Sequence, residues 1–325
     1  MKHRIVVKFL LTLVLLCLAC FLQSCRKKQN DIEIAVNQYV HHPNLEATYK
    51  GFCEVVDKWA LNKNLKVNYK LQIANGDPSI STQIARQQVA TNPQLILALA
   101  TPSAQATIKA TSTIPVVFGA ITDPVAAGLV KSFENPGENA TGSSDQWPYE
   151  KQFDLIRKLC PEAHTIGFVL NPGEVNTQAS MKMIDVALKK YGFEKVEASV
   201  ANTSEILAAA QSLIGRCDVL YAPADNTVLS GLDAFVRVAQ TNKIPLFVGD
   251  EGSVSKGGVA TYGINYLELG RATGEIAIKI LEGTPPSQIP VVKGSGTQLI
   301  VNVNAATKQG LKIPNEILKN AKVVE

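Results

Sequence analysis

Acidic, amide and hydroxyl side chains recur between the apolar runs of this chain, and their types suit a zwitterion. In "TPSAQATIKA", Thr101 and Ser103 stand where an apolar run gives way to a helical one. A helix start offers free N–H groups and a partial positive charge, so a carboxylate suits it, with the two hydroxyls as further donors. Asp123 lies in "TDP", Asp145 in "SSD", Asp225 beside Asn226 in "DN", and Asp250 in "GDE". An α-ammonium group needs such a carboxylate, because an unpaired buried charge is costly. Asp225 and Asp250 are the preferred partners. Asn171, Asn176 and Thr177 in "NPGEVNT" are further polar candidates. Each aspartate also has a plainer reading as a helix cap or turn former. Among the aromatics, Tyr39 and Trp147 are placed to flank an apolar ligand side chain. Phe118 and Tyr221 sit inside strand runs, where core packing is the default. Ring stacking on a ligand would add about 0.5–1.5 kcal/mol beyond area burial.

Other chemistries find less support. His41 and His42 are adjacent, and with Asp123 or Asp145 they form a conceivable zinc-capture set. The chain has only four histidines, one of them His3, and a zinc carrier would bring more. No G-x-S-x-G elbow, H-E-x-x-H helix or P-loop is present. Cys160 and Cys217, as a two-thiol acid/base pair, are set beside a helix end and before a strand, neither at a strand's carboxyl end. The expectation is a binding protein and not an enzyme, with no cofactor and no metal. Cys53, Cys160 and Cys217 are read as small buried apolar residues and not as a disulfide framework.

These residues need a scaffold, and the apolar pattern supplies one. "IEIAVN" (32–37), "VNYKLQIA" (67–74), "QLILALA" (94–100) and "IPVVFGA" (114–120) read as strands. Helical stretches at 44–63 and 79–91 separate them. The pattern then restarts with "HTIGFVL", "KVEASVA", "CDVLYAPA", "IPLFVG" and "GVATYGI". Helices are expected at 177–192, ending on a Gly cap, and at 204–215, with Ser204 as N-cap. Alternation of this kind predicts an α/β fold with parallel sheets covered on both faces. Roughly 300 residues exceed one core, so two similar lobes are expected. Ligands bind outside the carboxyl ends of such strands, and seven of these strands end in polar or small residues.

The front of the chain bears on location. "LLTLVLLCLACFL" is shorter than the roughly 20 apolar residues of a membrane span and follows Lys2, Arg4 and Lys8, as in a secretory signal. "LQSC" (22–25) resembles the bacterial lipobox, which implies a diacylated Cys25 after removal of residues 1–24, and residues 25–31 as a tether. Losing residues 1–24 removes three of the 32 Lys and Arg and none of the 28 Asp and Glu, so the net charge falls from +4 to +1. Such a near-neutral body gives no electrostatic case for nucleic acid.

"ATPSAQA", "TDPVAAGLVKS", "NPGENATGSSD", "NPGE" followed by "NT", "DNTV" and "IPLF" occur in that order over residues 32–314. Together they closely resemble the ABC-transporter substrate-binding lipoproteins of the tryptophan/tyrosine type. The resemblance implies a periplasmic-binding-protein type I fold, with two Rossmann-like lobes and three hinge crossovers. The expected lobes are 32–142 plus 265–288, and 143–264 plus 289–325. It also implies a monomer, lipid-anchored outside the cytoplasm, that captures a small amino-acid-like ligand of the aromatic kind and hands it to a membrane permease. Two alternatives are a binder that signals to a membrane receptor and a metal-binding lipoprotein. One departure from the family pattern is Ala224, where the family commonly has a threonine beside the "DNT" aspartate.

Overall fold

The computed structural model describes residues 31–324. The expected signal segment, Cys25 and most of the expected tether lie outside these residues. Among the described residues thirteen strands and twelve α-helices follow one another along the chain. The first lobe contains β1 (Asp31–Gln38), α1 (Pro43–Asn62), β2 (Lys66–Ile73), α2 (Pro78–Ala90), β3 (Leu95–Leu99), α3 (Thr101–Ala110), β4 (Val116–Ile121) and β5 (Ala140–Ser144). The second contains α4 (Tyr149–Leu159), β6 (Thr165–Leu170), α5 (Val175–Tyr191), β7 (Glu194–Ser199), α6 (Ile206–Ser212), β8 (Val219–Ala222), α7 (Asn226–Ser230), α8 (Leu232–Asn242), β9 (Leu246–Val248), α9 (Glu251–Ser255) and β10 (Ala260–Ile264). The chain then returns through α10 (Tyr266–Leu281) and β11 (Val292–Lys293), and ends with β12 (Thr297–Asn302), α11 (Val303–Lys308), α12 (Asn315–Leu318) and β13 (Lys322–Val324).

The first sheet has the order β11-β5-β4-β3-β1-β2 and is parallel throughout. The second, β7-β6-β8-β9, is also parallel. β10, β12 and β13 form a small third sheet beside it. Central strands such as β3 and β4 are buried at every residue, as continuous apolar runs in a covered parallel sheet must be. Of the apolar clusters among the described residues, two are much larger than the rest. One runs from Ile34 to Ile289 in the first lobe, the other from Trp147 to Ile313 in the second.

Strand pairing puts all of β5 and also β11 in the first sheet. Residues 143–144 and 292–293, expected in the second lobe, thus pair within the first sheet. The second crossing lies between β10 and α10. Helix α10 returns to pack on α1, and glycines allow the approach: a methyl group at Gly51 would overlap the Leu267 carbonyl, and one at Gly270 the Thr48 carbonyl. Gly192 ends α5 in the left-handed conformation, as the sequence suggests. Ser204, by contrast, is not an N-cap. A 3₁₀ turn, Thr203–Glu205, precedes α6, and the Asn202 side chain caps it by accepting from the Ser204 N–H.

Two strand ends in the first sheet are bent out of regular geometry. Ala100, after β3, has φ 74°, and Ala120, in β4, has φ 57°. β4 slips its register against β5 between Phe118 and Ile121. Alanine seldom adopts this left-handed region, and such strain gathers at ligand sites. The bend re-aims the residues that follow each strand.

Candidate functional site

A cavity lies where the carboxyl ends of the two sheets face each other. Its non-atom space, with the open solvent at its mouth included, is about 450 Å³. The first lobe contributes Val40, His42, Asn44 and Leu45 from the β1–α1 junction, Ala100 and Thr101 from the β3–α3 junction, and Ala120 and Thr122 from β4 and beyond. Asp145 and Trp147 enter from the first crossing, and Tyr266 from the second. The second lobe supplies Asn176, Ala224, Asp225, Asn226 and Leu229.

Three buried polar atoms on this wall have no hydrogen-bond partner among the described residues: His42 Nε2, Asp145 Oδ1 and Asn176 Oδ1. Only six such side-chain atoms occur among the described residues, so half of them belong to residues that line one cavity. Buried polar groups are normally paired, and this concentration marks the wall as made for a polar guest. Their polarity follows from their other contacts. His42 Nδ1 accepts from the Asn44 N–H at 3.3 Å, so Nε2 carries the ring hydrogen and donates. Burial holds the pKa of this imidazole below its ordinary value, which keeps it neutral. Asp145 Oδ2 accepts from the Tyr266 hydroxyl at 2.8 Å, leaving Oδ1 as a free acceptor. Burial pushes the Asp145 carboxyl up to about 6, against the lowering effect of that hydrogen bond. Asn176 Nδ2 donates to Glu174 Oε2 at 3.0 Å and to the Ala224 carbonyl at 2.9 Å, so its Oδ1 is the second free acceptor.

The N-terminus of α3 also opens on the cavity. Ala100, in the cap position, makes no side-chain capping bond, and Pro102 has no N–H. Thr101 is therefore the first donor of that helix. Around these polar points lie Val40, Leu45, Leu229, the Trp147 ring and three alanines. Trp147 is 4 % exposed. Its Nε1 donates to the Tyr266 hydroxyl at 2.8 Å, and its ring lies on the Gly249 backbone, where any Cβ would overlap it.

Of the residues singled out from sequence, Thr101, Asp145, Trp147, Asn176, Asp225 and Asn226 line the cavity. The others are placed elsewhere. The Ser103 hydroxyl bonds Asn37 Oδ1 at 3.1 Å and Ser81 at 3.2 Å, behind α3. Asp123 caps the turn at Val125 and Ala126. Tyr39 donates to the Gly76 carbonyl at 2.7 Å. Asn171 donates to Thr227 at 2.9 Å. Asp250 caps α9 through the Ser253 N–H and hydroxyl. Asp225 reaches the wall, but its oxygens are engaged: Oδ1 takes the Val228 N–H, and Oδ2 takes the Asn171 N–H and the Thr177 hydroxyl. Burial, with Glu174 close by, pushes its carboxyl up to about 7. The plainer reading as caps thus holds for Asp123, Asp225 and Asp250.

His42, Thr122, Tyr266 and Glu174 belong to the site or its support without having been expected there. His41 and His42 do not act together. His41 is exposed and lies 3.5 Å from Glu46, while His42 caps α1. Among the described residues no group of three or more His, Cys, Asp or Glu is placed to hold a metal. Burial pushes the Cys160 and Cys217 thiols up to about 11, away from the range of reactive thiolates.

Comparison with known proteins identifies the family and the fold. A family model described as ABC transporter substrate binding protein matches residues 33–325. A tyrosine-binding protein of Clostridioides difficile (strain R20291) is 40% identical over 276 residues, which span 85% of this chain and 79% of the relative. The crystal structure of an ABC domain in complex with L-Trp from Streptococcus pneumonia superimposes with a TM-score of 0.86 at 32% identity, covering 91% of this chain and all of that one (100%). A ligand-free, open substrate-binding protein from Clostridium difficile gives a TM-score of only 0.68 at 38% identity, over 90% and 99% of the two chains. The chain belongs to the ABC transporter substrate-binding protein family, with the periplasmic-binding-protein type I fold.

Proposed function

We propose that the protein is a lipid-anchored binding protein outside the cytoplasm that captures an aromatic L-amino acid in this cavity and delivers it to an ABC permease. The observation that carries the reading is the polarity of the three unpartnered atoms. Asp145 Oδ1 and Asn176 Oδ1 take the α-ammonium. His42 Nε2–H and the α3 N-terminus at Thr101 take the carboxylate. Each charge-assisted hydrogen bond of this kind contributes about 1.5–3 kcal/mol. The aromatic side chain lies among Leu45, Leu229 and the Trp147 ring. Ammonium binding thus falls to Asp145 and Asn176, because Asp225 and Asp250 are occupied as caps. The named specificities of the two relatives, tyrosine and L-Trp, support the aromatic assignment. Binding is reversible, with no covalent step. No helix among the described residues is long and apolar enough to cross a membrane; the attachment point in this reading is Cys25, in the lipobox-like "LQSC".

Calorimetric titration against the twenty amino acids tests the reading. Tyrosine or tryptophan should bind at micromolar concentration or below, and the absence of any such amino-acid ligand would refute it. Delivery is tested by uptake of the labelled amino acid in cells with and without the gene for this chain.

A further inference from the structure

We infer that Glu174, which does not touch the cavity, sets the selectivity of the cleft for an α-amino group over the corresponding α-hydroxy or α-keto acid by locking the Asn176 amide with its oxygen toward the ligand. The inference rests on the amino-acid reading above and deepens it.

The Asn176 NH₂ lies between two groups that only accept, Glu174 Oε2 at 3.0 Å and the Ala224 carbonyl at 2.9 Å. Turning the amide over would set Oδ1 against both of them, lone pair to lone pair. Glu174 itself has no freedom to accommodate that. Oε2 also accepts from the Asn226 N–H at 3.0 Å and Nδ2 at 2.7 Å, and Oε1 accepts from the Thr227 N–H at 2.9 Å and hydroxyl at 2.7 Å. Five donors hold the carboxylate as an acceptor. The Asn176 oxygen is therefore held away from both of them, and it is without a partner on a residue that lines the cavity. Asp145 Oδ1 is the other unpartnered acceptor on the wall. Two acceptors require two hydrogens from the guest. An ammonium group has three, a hydroxyl one and a keto oxygen none. The order amino, then hydroxy, then keto follows from this count, and Glu174 enforces it as a positioning residue.

The test compares wild type with E174Q, N176A and the double variant, by calorimetric titration with L-tyrosine, L-tryptophan and their α-hydroxy-acid counterparts. A glutamine at 174 supplies its own NH₂ and can donate to a reversed Asn176. The ratio of amino-acid to hydroxy-acid affinity should fall about tenfold in E174Q. It should fall at least as far in N176A, and E174Q should lower it no further once Asn176 is gone. A structural brace alone would weaken both ligands by one factor, and an unmoved ratio in E174Q overturns the inference. If E174Q does not fold, N176A decides: an unchanged ratio there overturns it equally. A wild-type protein that binds none of the four probes defeats the functional reading and this inference with it. Amino-acid binding with an unmoved variant ratio defeats the inference alone.

Discussion

The Tyr266 hydroxyl donates to Asp145 Oδ2 at 2.8 Å while it accepts from Trp147 Nε1 at the same distance. Asp145 and Trp147 lie on the first crossing between the lobes, and Tyr266 opens α10 directly after the second. One hydroxyl thus ties two hinge strands together and orients the carboxylate assigned to the ligand's ammonium. Tyr266→Phe removes both bonds and leaves a buried indole N–H unpaired, at about 1–3 kcal/mol. The melting temperature should fall, and amino-acid affinity with it. Thermal melts and titration check both, and an unchanged affinity would remove Tyr266 from the ligand's surroundings.

Acidity separates stability from binding. Asp145 titrates near 6 and Asp225 near 7 in the fold, both above the ordinary 3.8. For carboxyls raised in this way, the stabilising contribution is complete below 3.8 and is lost as pH rises through the folded values. His42 opposes them. Its value lies below 6.5, so its contribution is lost as pH falls through that region. The clean observable is a difference: on acidification from about pH 7.5 to about pH 5, wild type should gain stability relative to Asp145→Asn. Binding should run the other way, because an ammonium favours ionised Asp145. Affinity for L-tyrosine should drop as pH falls below about 6, with proton release on binding seen by calorimetry in buffers of different ionisation enthalpy. Loss of that pH dependence in Asp145→Asn confirms the assignment.

Gly249 is the floor beneath Trp147. A methyl group there would overlap the indole ring, and a fixed ring cannot move aside as a flexible chain end can. Gly249→Ala should weaken amino-acid binding more than tenfold, or more than about 1.4 kcal/mol. In a Trp147→Ala background the same change should cost little. Equal losses in both backgrounds would show that the ring is not the obstacle.

His42 is assigned to the carboxylate, and a ligand without one reports on that. His42→Ala should weaken L-tyrosine by about tenfold or more but leave tyramine, the decarboxylated amine, nearly unchanged. Both ligands will meet a protein less stable by about 1 kcal/mol, because His42 also caps α1. Parallel loss of the two ligands would reassign the carboxylate to α3 alone.

Cys25 is the expected site of lipid attachment. Labelled palmitate should enter the wild-type chain in cells, and Cys25→Ser should abolish the label and release the protein from the membrane fraction.

The strand positions and the polar strand ends were legible in the sequence because buried parallel strands are continuous apolar runs. Much of the site was legible at the level of which loop, and less at the level of which atom. Thr101 and Ser103 are two apart on one helix, about 200° around its axis, so both could not face a ligand; nothing in "TPSA" tells which one does. Asp225 and Asp250 have the right charge in the right loops, but short helices follow each and consume their oxygens. Tyr266 lies 121 residues from Asp145, and only the hinge geometry joins them. Glu174 sits in the quoted "NPGE", yet its role depends on Asn226 and Thr227, 52 and 53 residues away.

The chain has two tryptophans, Trp59 and Trp147. Trp59 bonds Glu282 on the outer face of the first lobe, while Trp147 is sealed between a hinge hydroxyl and the Gly249 backbone. Opening the lobes would wet the second indole and barely disturb the first. A Trp59→Phe protein is therefore its own optical gauge of closure, in which the emission colour follows occupancy by a non-fluorescent guest without any attached dye.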